Sequence, residues 1–103
     1  MRPTKRLNCF SELDDAELER LAILSEEMAE AIQVVGKIIR HGYDSFHPDD
    51  PQDTDNRHLL EKELGHVLRA IEMMKRAGDL NGTNLKSASK AKEKSIRQYL
   101  HHQ

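Results

Sequence analysis

Two short stretches of this 103-residue chain place carboxylates where they could do chemistry together. The first is Glu26-Glu27-Met28-Ala29-Glu30, and the second is Glu63-Leu64-Gly65-His66. On a helix, Glu27 and Glu30 stand three residues apart and Glu26 and Glu30 four apart, so their side chains converge on one patch. Glu63 and His66 repeat the three-residue offset. Like charges at that spacing destabilise an isolated helix, yet the first group runs straight into the nearly neutral segment from Ala31 to Gly36. Both groups also sit beside apolar residues, Met28 and Ile32 in one case and Leu64 and Val67 in the other. Two such helices packed antiparallel would bring several carboxylate oxygens and one imidazole around a hole suited to a cation. The bland alternative is a solvated acidic face, with His66 an ordinary half-exposed histidine.

These groups need two helices to carry them, and the pattern supplies three. Ser11, Asp14 and Asp15 are candidate N-caps for the first, followed by Glu17 and Glu19 at the positive end of its dipole. Leu18, Leu21, Ser25, Met28, Ile32, Val35 and Ile39 recur at steps of three and four and define one apolar face. Arg40 and His41 suit the C-terminal end, and Gly42 suits a stop. Residues 43–56 carry Pro48, Pro51 and five Asp, and read as a loop. Thr54, Asp55 or Asn56 caps a second helix with a stripe of Leu60, Leu64, Val67, Ile71 and Met74, ending near Gly78. Asp79-Leu80-Asn81-Gly82 is turn chemistry. A third helix over roughly Asn84 to Leu100 is basic and weakly amphipathic. Its run of Lys86, Lys90, Lys92, Lys94 and Arg97 reads best as a solvated face.

Composition supports an all-α fold. Leu, Ile, Val, Met and Ala make the core vocabulary, with two Phe, two Tyr and no Trp. The expected architecture is a helical bundle of about three helices per chain in one domain, 1–103, with 1–10 a loose N-terminal arm. A chain this short has little core of its own, so oligomerisation is expected to complete the bundle. Sixteen Lys+Arg against 18 Asp+Glu give a net charge of -2, which argues against a general nucleic-acid binder. The single Cys9 excludes an internal disulfide framework and a cysteine-based zinc site. No apolar run is long enough to span a bilayer and no signal-peptide core follows Met1, so the expectation is a cytoplasmic protein with no membrane partner.

The segments LAILSEEMAEAIQVVGKIIRHG, 21–42, and NRHLLEKELGHVLRAIEMM, 56–74, resemble the MazG-type all-α nucleoside triphosphate pyrophosphohydrolases, above all their small phage and bacterial members. Glu26, Glu27 and Glu30 match the Glu-Glu-x-x-Glu half of that family's motif, and Glu63 opens its Glu-x-x-Asp half. The resemblance spans about 90 residues and includes the C-terminal KAKEKSIRQYLHHQ. It implies a metal-dependent hydrolase that converts a nucleoside triphosphate to its monophosphate and pyrophosphate, working as a homodimer or homotetramer. It also implies Mg²⁺ on Glu27, Glu30, Glu63 and residue 66, with catalytic work among Glu26, Glu27 and Glu30. Lys37, seven residues after Glu30, and Arg40 become the first choices for phosphate contacts. Arg40 and His41 could equally serve only the helix C-terminus, and Asn56 and Arg57 are candidates for base or ribose contacts.

Residue 66 departs from the pattern, because the family's last acidic ligand is replaced by His66. Imidazole suits Mn²⁺ and other divalent transition metals better than Mg²⁺. His66 could be a ligand, a neighbour that hydrogen-bonds a ligand, or an imidazolium that replaces the metal. The alternative function is therefore a nucleotide- or metal-binding helical module with weak or no turnover.

Overall fold

The computed structural model describes residues 11–102, and the expected arm at 1–10 lies outside the described residues. Three α-helices follow in order: α1 (Asp15–His41), α2 (Asn56–Ala77) and α3 (Gly82–Tyr99). Among the described residues there is no strand, only an isolated antiparallel bridge between Phe46 and Asp55. No helix among them is long and apolar enough to cross a membrane.

Helix α1 starts where a capping box forms. The Asp14 carboxylate accepts from the Glu17 amide at 2.8 Å, and the Glu17 carboxylate accepts from the Asp14 amide at 3.1 Å. It ends at Gly42, whose amide donates to the Ile38 carbonyl at 2.7 Å. Helix α2 is capped by Asp55, which accepts from the His58 amide at 2.8 Å, so Asn56 is the first helical residue rather than the end of the loop. Gly78 closes α2 in the left-handed region at φ 87, a conformation that glycine adopts without a Cβ penalty. Helix α3 begins at Gly82, two residues before the expected Asn84, because the Asn81 side chain caps it by accepting from the Asn84 amide at 3.0 Å.

Helices α1 and α2 form an antiparallel hairpin. At one end the buried Asn56 donates from Nδ2 to the Gly42 carbonyl at 3.0 Å. At the other, Arg20 makes two bonds to Asp79, Nε to Oδ2 at 2.5 Å and Nη2 to Oδ1 at 3.0 Å. The intervening loop is tied down internally. The Asn56 amide donates to the Ser45 carbonyl and the Arg57 amide to the Tyr43 carbonyl, both at 2.9 Å. Asp50 accepts from the amides of Gln52 and Thr54, and these bonds hold its carboxyl below the usual range.

The apolar face expected to form the core of α1 points elsewhere. Ala31 and Val34 are buried against α2, whose buried apolar residues are Ala70 and Met74. Leu18, Leu21, Met28, Ile32, Val35 and Ile39 are all exposed, Ile32 and Ile39 by 70% and 80%. On α2, Leu64 is also exposed, while Leu60, Val67 and Ile71 are half-buried. The face of α1 that packs inward is the neighbouring one, on which Ile23, Leu24, Ala31, Val34 and Ile38 are buried or half-buried together with Glu27 and Glu30. Helix α3 has no buried residue and runs off the end of the hairpin. The Cα radius of gyration is 18.1 Å, against about 13 Å for a compact chain of this length.

Candidate metal centre

The hairpin register sets the chemistry. Glu27 and Glu30 are one turn apart on α1, and Glu63 and His66 one turn apart on α2. Antiparallel packing places the two turns opposite each other midway along the hairpin. One ligand atom from each of Glu27, Glu30, Glu63 and His66 lies within 4.8 Å of all the others. These are the four residues that the family resemblance implies as the metal set. Glu26 points outward and stays outside this group.

The cluster is electrostatically incomplete. Glu63 is 9% exposed and Glu27 and Glu30 are half-buried. The Oε2 atoms of Glu27 and Glu63 are buried without a hydrogen-bond partner. His66 Nδ1 lies 3.3 Å from Glu27 Oε2 and 3.5 Å from Glu63 Oε2, close enough for an ion pair were the ring protonated but outside hydrogen-bonding geometry. A buried carboxylate oxygen with no donor is costly, and a positive ion removes that cost.

The protons report the same crowding. The Glu30 carboxyl is pushed above its ordinary range, first by its hydrogen bond to Glu63 and then by repulsion from Glu27. The Glu63 carboxyl falls below its ordinary range. Burial alone pushes it up, but the hydrogen bond shared with Glu30 and the contact with the Lys62 ammonium at 3.4 Å outweigh that. The donor set, three carboxylates and one imidazole, fits a divalent metal of intermediate hardness such as Mn²⁺ and is oxygen-rich enough for Mg²⁺.

Lys37 and Arg40 lie farther along α1. Seven residues separate Lys37 from Glu30, about 10 Å of axial rise. Both cations line a cleft of about 240 Å³ with His41, Ser45, Phe46, His47, Pro48 and Asn56. Long side chains on a helix lean toward its N-terminus, which aims Lys37 back toward the cluster. Asn56 lines the cleft but spends an amide hydrogen on Gly42, while Arg57 is turned out over the Tyr43 ring at 4.7 Å and contacts Asp44 at 3.3 Å. Sequence reasoning missed Ser45, Phe46 and His47, which reach the cleft only because the loop folds back on the start of α2. The length and proline content of that loop were the available signal.

No protein-family model, curated protein or solved structure matches this chain.

Proposed function

We propose that the chain is a metal-dependent nucleoside triphosphate pyrophosphohydrolase that releases nucleoside monophosphate and pyrophosphate. One observation carries this reading above the others: two buried carboxylate oxygens, Glu27 Oε2 and Glu63 Oε2, lack a donor inside a four-residue ligand cluster. Glu27, Glu30, Glu63 and His66 would hold the ion, Mg²⁺ or, given the imidazole, Mn²⁺ or another divalent transition metal. A bound divalent ion supplies neutralisation of phosphate charge and a more acidic water. The chain's own residues do the rest. Lys37 and Arg40 bind phosphate oxygens at the cleft and align the α–β anhydride with the cluster. A carboxylate oxygen of Glu27 or Glu30 that is not engaged by the ion accepts the proton of the attacking water, Glu26 lying outside the cluster. Water adds at the anhydride phosphorus, the bridging P–O bond breaks, and pyrophosphate leaves. No covalent nucleophile is needed. The working unit is a homodimer or homotetramer in the cytoplasm, with neither nucleic acid nor membrane as partner.

A second reading has its own observation. His66 Nδ1 lies within 3.5 Å of both unsatisfied oxygens, so a protonated His66 would itself serve as the counter-ion. The protein would then be a nucleotide-binding module without turnover. Pyrophosphate release across common and damaged nucleoside triphosphates, with Mg²⁺ and Mn²⁺ in parallel, separates the two. The hydrolase reading expects equimolar monophosphate and pyrophosphate, lost in Glu63→Gln. Nucleotide binding with no product in either metal would support the module instead.

A further inference from the structure

The cleft beside Lys37 has two unlike walls. Helix α1 supplies Lys37 and Arg40 to one, the loop supplies Ser45 and Phe46 to the other, and α2 adds Asn56. Phe46 is 46% exposed, although its ring has no polar atom to gain from water. Its backbone is held in place. Phe46 pairs with Asp55 in the isolated bridge, and beside it the Ser45 carbonyl accepts from the Asn56 amide at 2.9 Å. An exposed aromatic ring on a tethered backbone offers a flat apolar surface at little ordering cost.

Asn56 adds an independent feature. Its side chain is only 5% exposed, and Nδ2 donates to the Gly42 carbonyl at 3.0 Å. That carbonyl needs a donor, which fixes the end of the amide that faces it. Oδ1 accepts from no described residue, yet it is not sealed from solvent, so it opens into the cleft that Asn56 lines. A buried amide with one open acceptor is satisfied by an N–H of whatever enters.

We infer that this cleft is the nucleobase subsite: a base stacks on the Phe46 ring, presents an N–H to Asn56 Oδ1 and directs its ribose toward Lys37 and Arg40. The inference rests on the nucleotide reading proposed above. The order of groups along the hairpin selects the base over the terminal phosphates. Lys37 stands about 10 Å and Arg40 about 15 Å along the axis from Glu30. Arg40 folds back toward the cluster, because a Cβ on Gly36 would lie 3.4 Å from its Nη1. The loop that carries Phe46 closes the end of the hairpin beyond both cations. Phosphates joined through bridging oxygens stay within about one helical turn of a metal that holds the α–β anhydride, and so fall short of that loop. Ribose and base reach it. The size agrees. The cleft holds about 240 Å³, below the roughly 300–1,000 Å³ of a site that engulfs a whole drug-sized ligand. It takes one end of a nucleotide and leaves the phosphates outside. None of its lining side chains is acidic, which suits phosphates leading away from it.

The test uses the full chain without metal. The chain has no Trp, so Phe46→Trp places a single fluorophore at the stacking position. Titration with the common nucleoside 5′-monophosphates is expected to quench its fluorescence saturably. Ribose 5-phosphate, which keeps sugar and phosphate but has no base, is expected to leave it unquenched. By calorimetry, Phe46→Ala should weaken monophosphate binding roughly 5- to 150-fold, the range for loss of one base stack. Its Mn²⁺-induced melting shift and helical circular dichroism should be unchanged. Neither readout requires turnover, so both can succeed in a chain that releases no pyrophosphate and both can fail in one that does. Absence of quenching by every monophosphate overturns the inference. So does equal quenching by ribose 5-phosphate, or a Phe46→Ala protein that binds the monophosphates as wild type does. Should Phe46→Ala lose its helical signal, the Phe46→Trp titrations alone decide.

Discussion

Replacing Glu63 by glutamine removes one charge from the acidic cluster while keeping its shape, and the structure sets the size of the effect. Glu63 is the most buried of the four ligands, and its Oε2 is one of the two donorless oxygens. A ligand that binds only the folded state stabilises it by about 2.7 kcal/mol when present at 100 times its dissociation constant. For a domain of this size, that corresponds to an upward shift in melting temperature of roughly 10–20 °C. The wild type should show such a shift on titration with Mn²⁺ at fixed protein concentration. Glu63→Gln should lose most of it, because a neutral amide cannot replace a carboxylate around a dication. Without metal the variant should melt at or modestly below wild type, because the fold holds the Glu63 carboxyl below its ordinary range, with Lys62 at 3.4 Å, and glutamine gives up that charge. Differential scanning fluorimetry with and without metal, checked by circular dichroism, measures both quantities. An equal Mn²⁺ shift in both proteins would refute the ligand assignment. A metal-free variant that melts far lower would show that Glu63 is structural.

Other expectations follow from named contacts. Because the Glu30 carboxyl is raised and must lose its proton to bind a cation, metal affinity should fall at mildly acidic pH, earlier than for ordinary carboxylates, with calorimetry as the readout. His66→Asp should move the preference from Mn²⁺ toward Mg²⁺; identical affinities and pH profiles in both proteins would exclude His66 as a ligand. The His58 ring, 2.7 Å from Asp55, is raised above 6.5 by that hydrogen bond, while Asp55 is lowered by the His58 amide. The histidine's contribution to stability is thus complete below about 6.5 and lost as pH rises through its higher folded value. That of Asp55 is lost only as pH falls through its lowered value. NMR titration should give a His58 midpoint above 6.5 that returns toward it in Asp55→Asn. Gly78→Ala should cost about 1 kcal/mol in denaturant unfolding, because alanine is strained at φ 87.

Much of this was legible in the sequence because the signals are local. Asp14 with Glu17, Gly42, Asp55 and Gly78 mark helix ends through short-range hydrogen bonds, and the helices stop within a residue or two of where those types place them. The two pairs, Glu27 with Glu30 and Glu63 with His66, were legible because a one-turn offset aligns side chains on any helix, but the same rule also admitted Glu26, which lies outside the cluster. What the pattern misassigned was the partner of each face. Helix α1 has an outer seam of Leu, Ile, Val and Met and an inner face where Glu27 and Glu30 interrupt Ala31 and Val34. Apolarity alone ranks the outer seam as the core. The inner face wins within the chain because a 14-residue loop and the Asn56–Gly42 and Arg20–Asp79 contacts pin the hairpin in that rotation. The cleft beside Lys37 was hidden for a similar reason. Phe46 and His47 reach it through a loop held to the start of α2 by backbone bonds from Asn56 to Ser45 and from Arg57 to Tyr43.

The account turns on whether Glu27, Glu30, Glu63 and His66 hold one divalent ion. Anomalous diffraction from crystals grown with Mn²⁺ tests this most directly. The account predicts a strong anomalous peak within coordination distance of carboxylate oxygens from all three glutamates and of a His66 ring nitrogen. Ordered Glu27, Glu30, Glu63 and His66 side chains with no peak between them would contradict it.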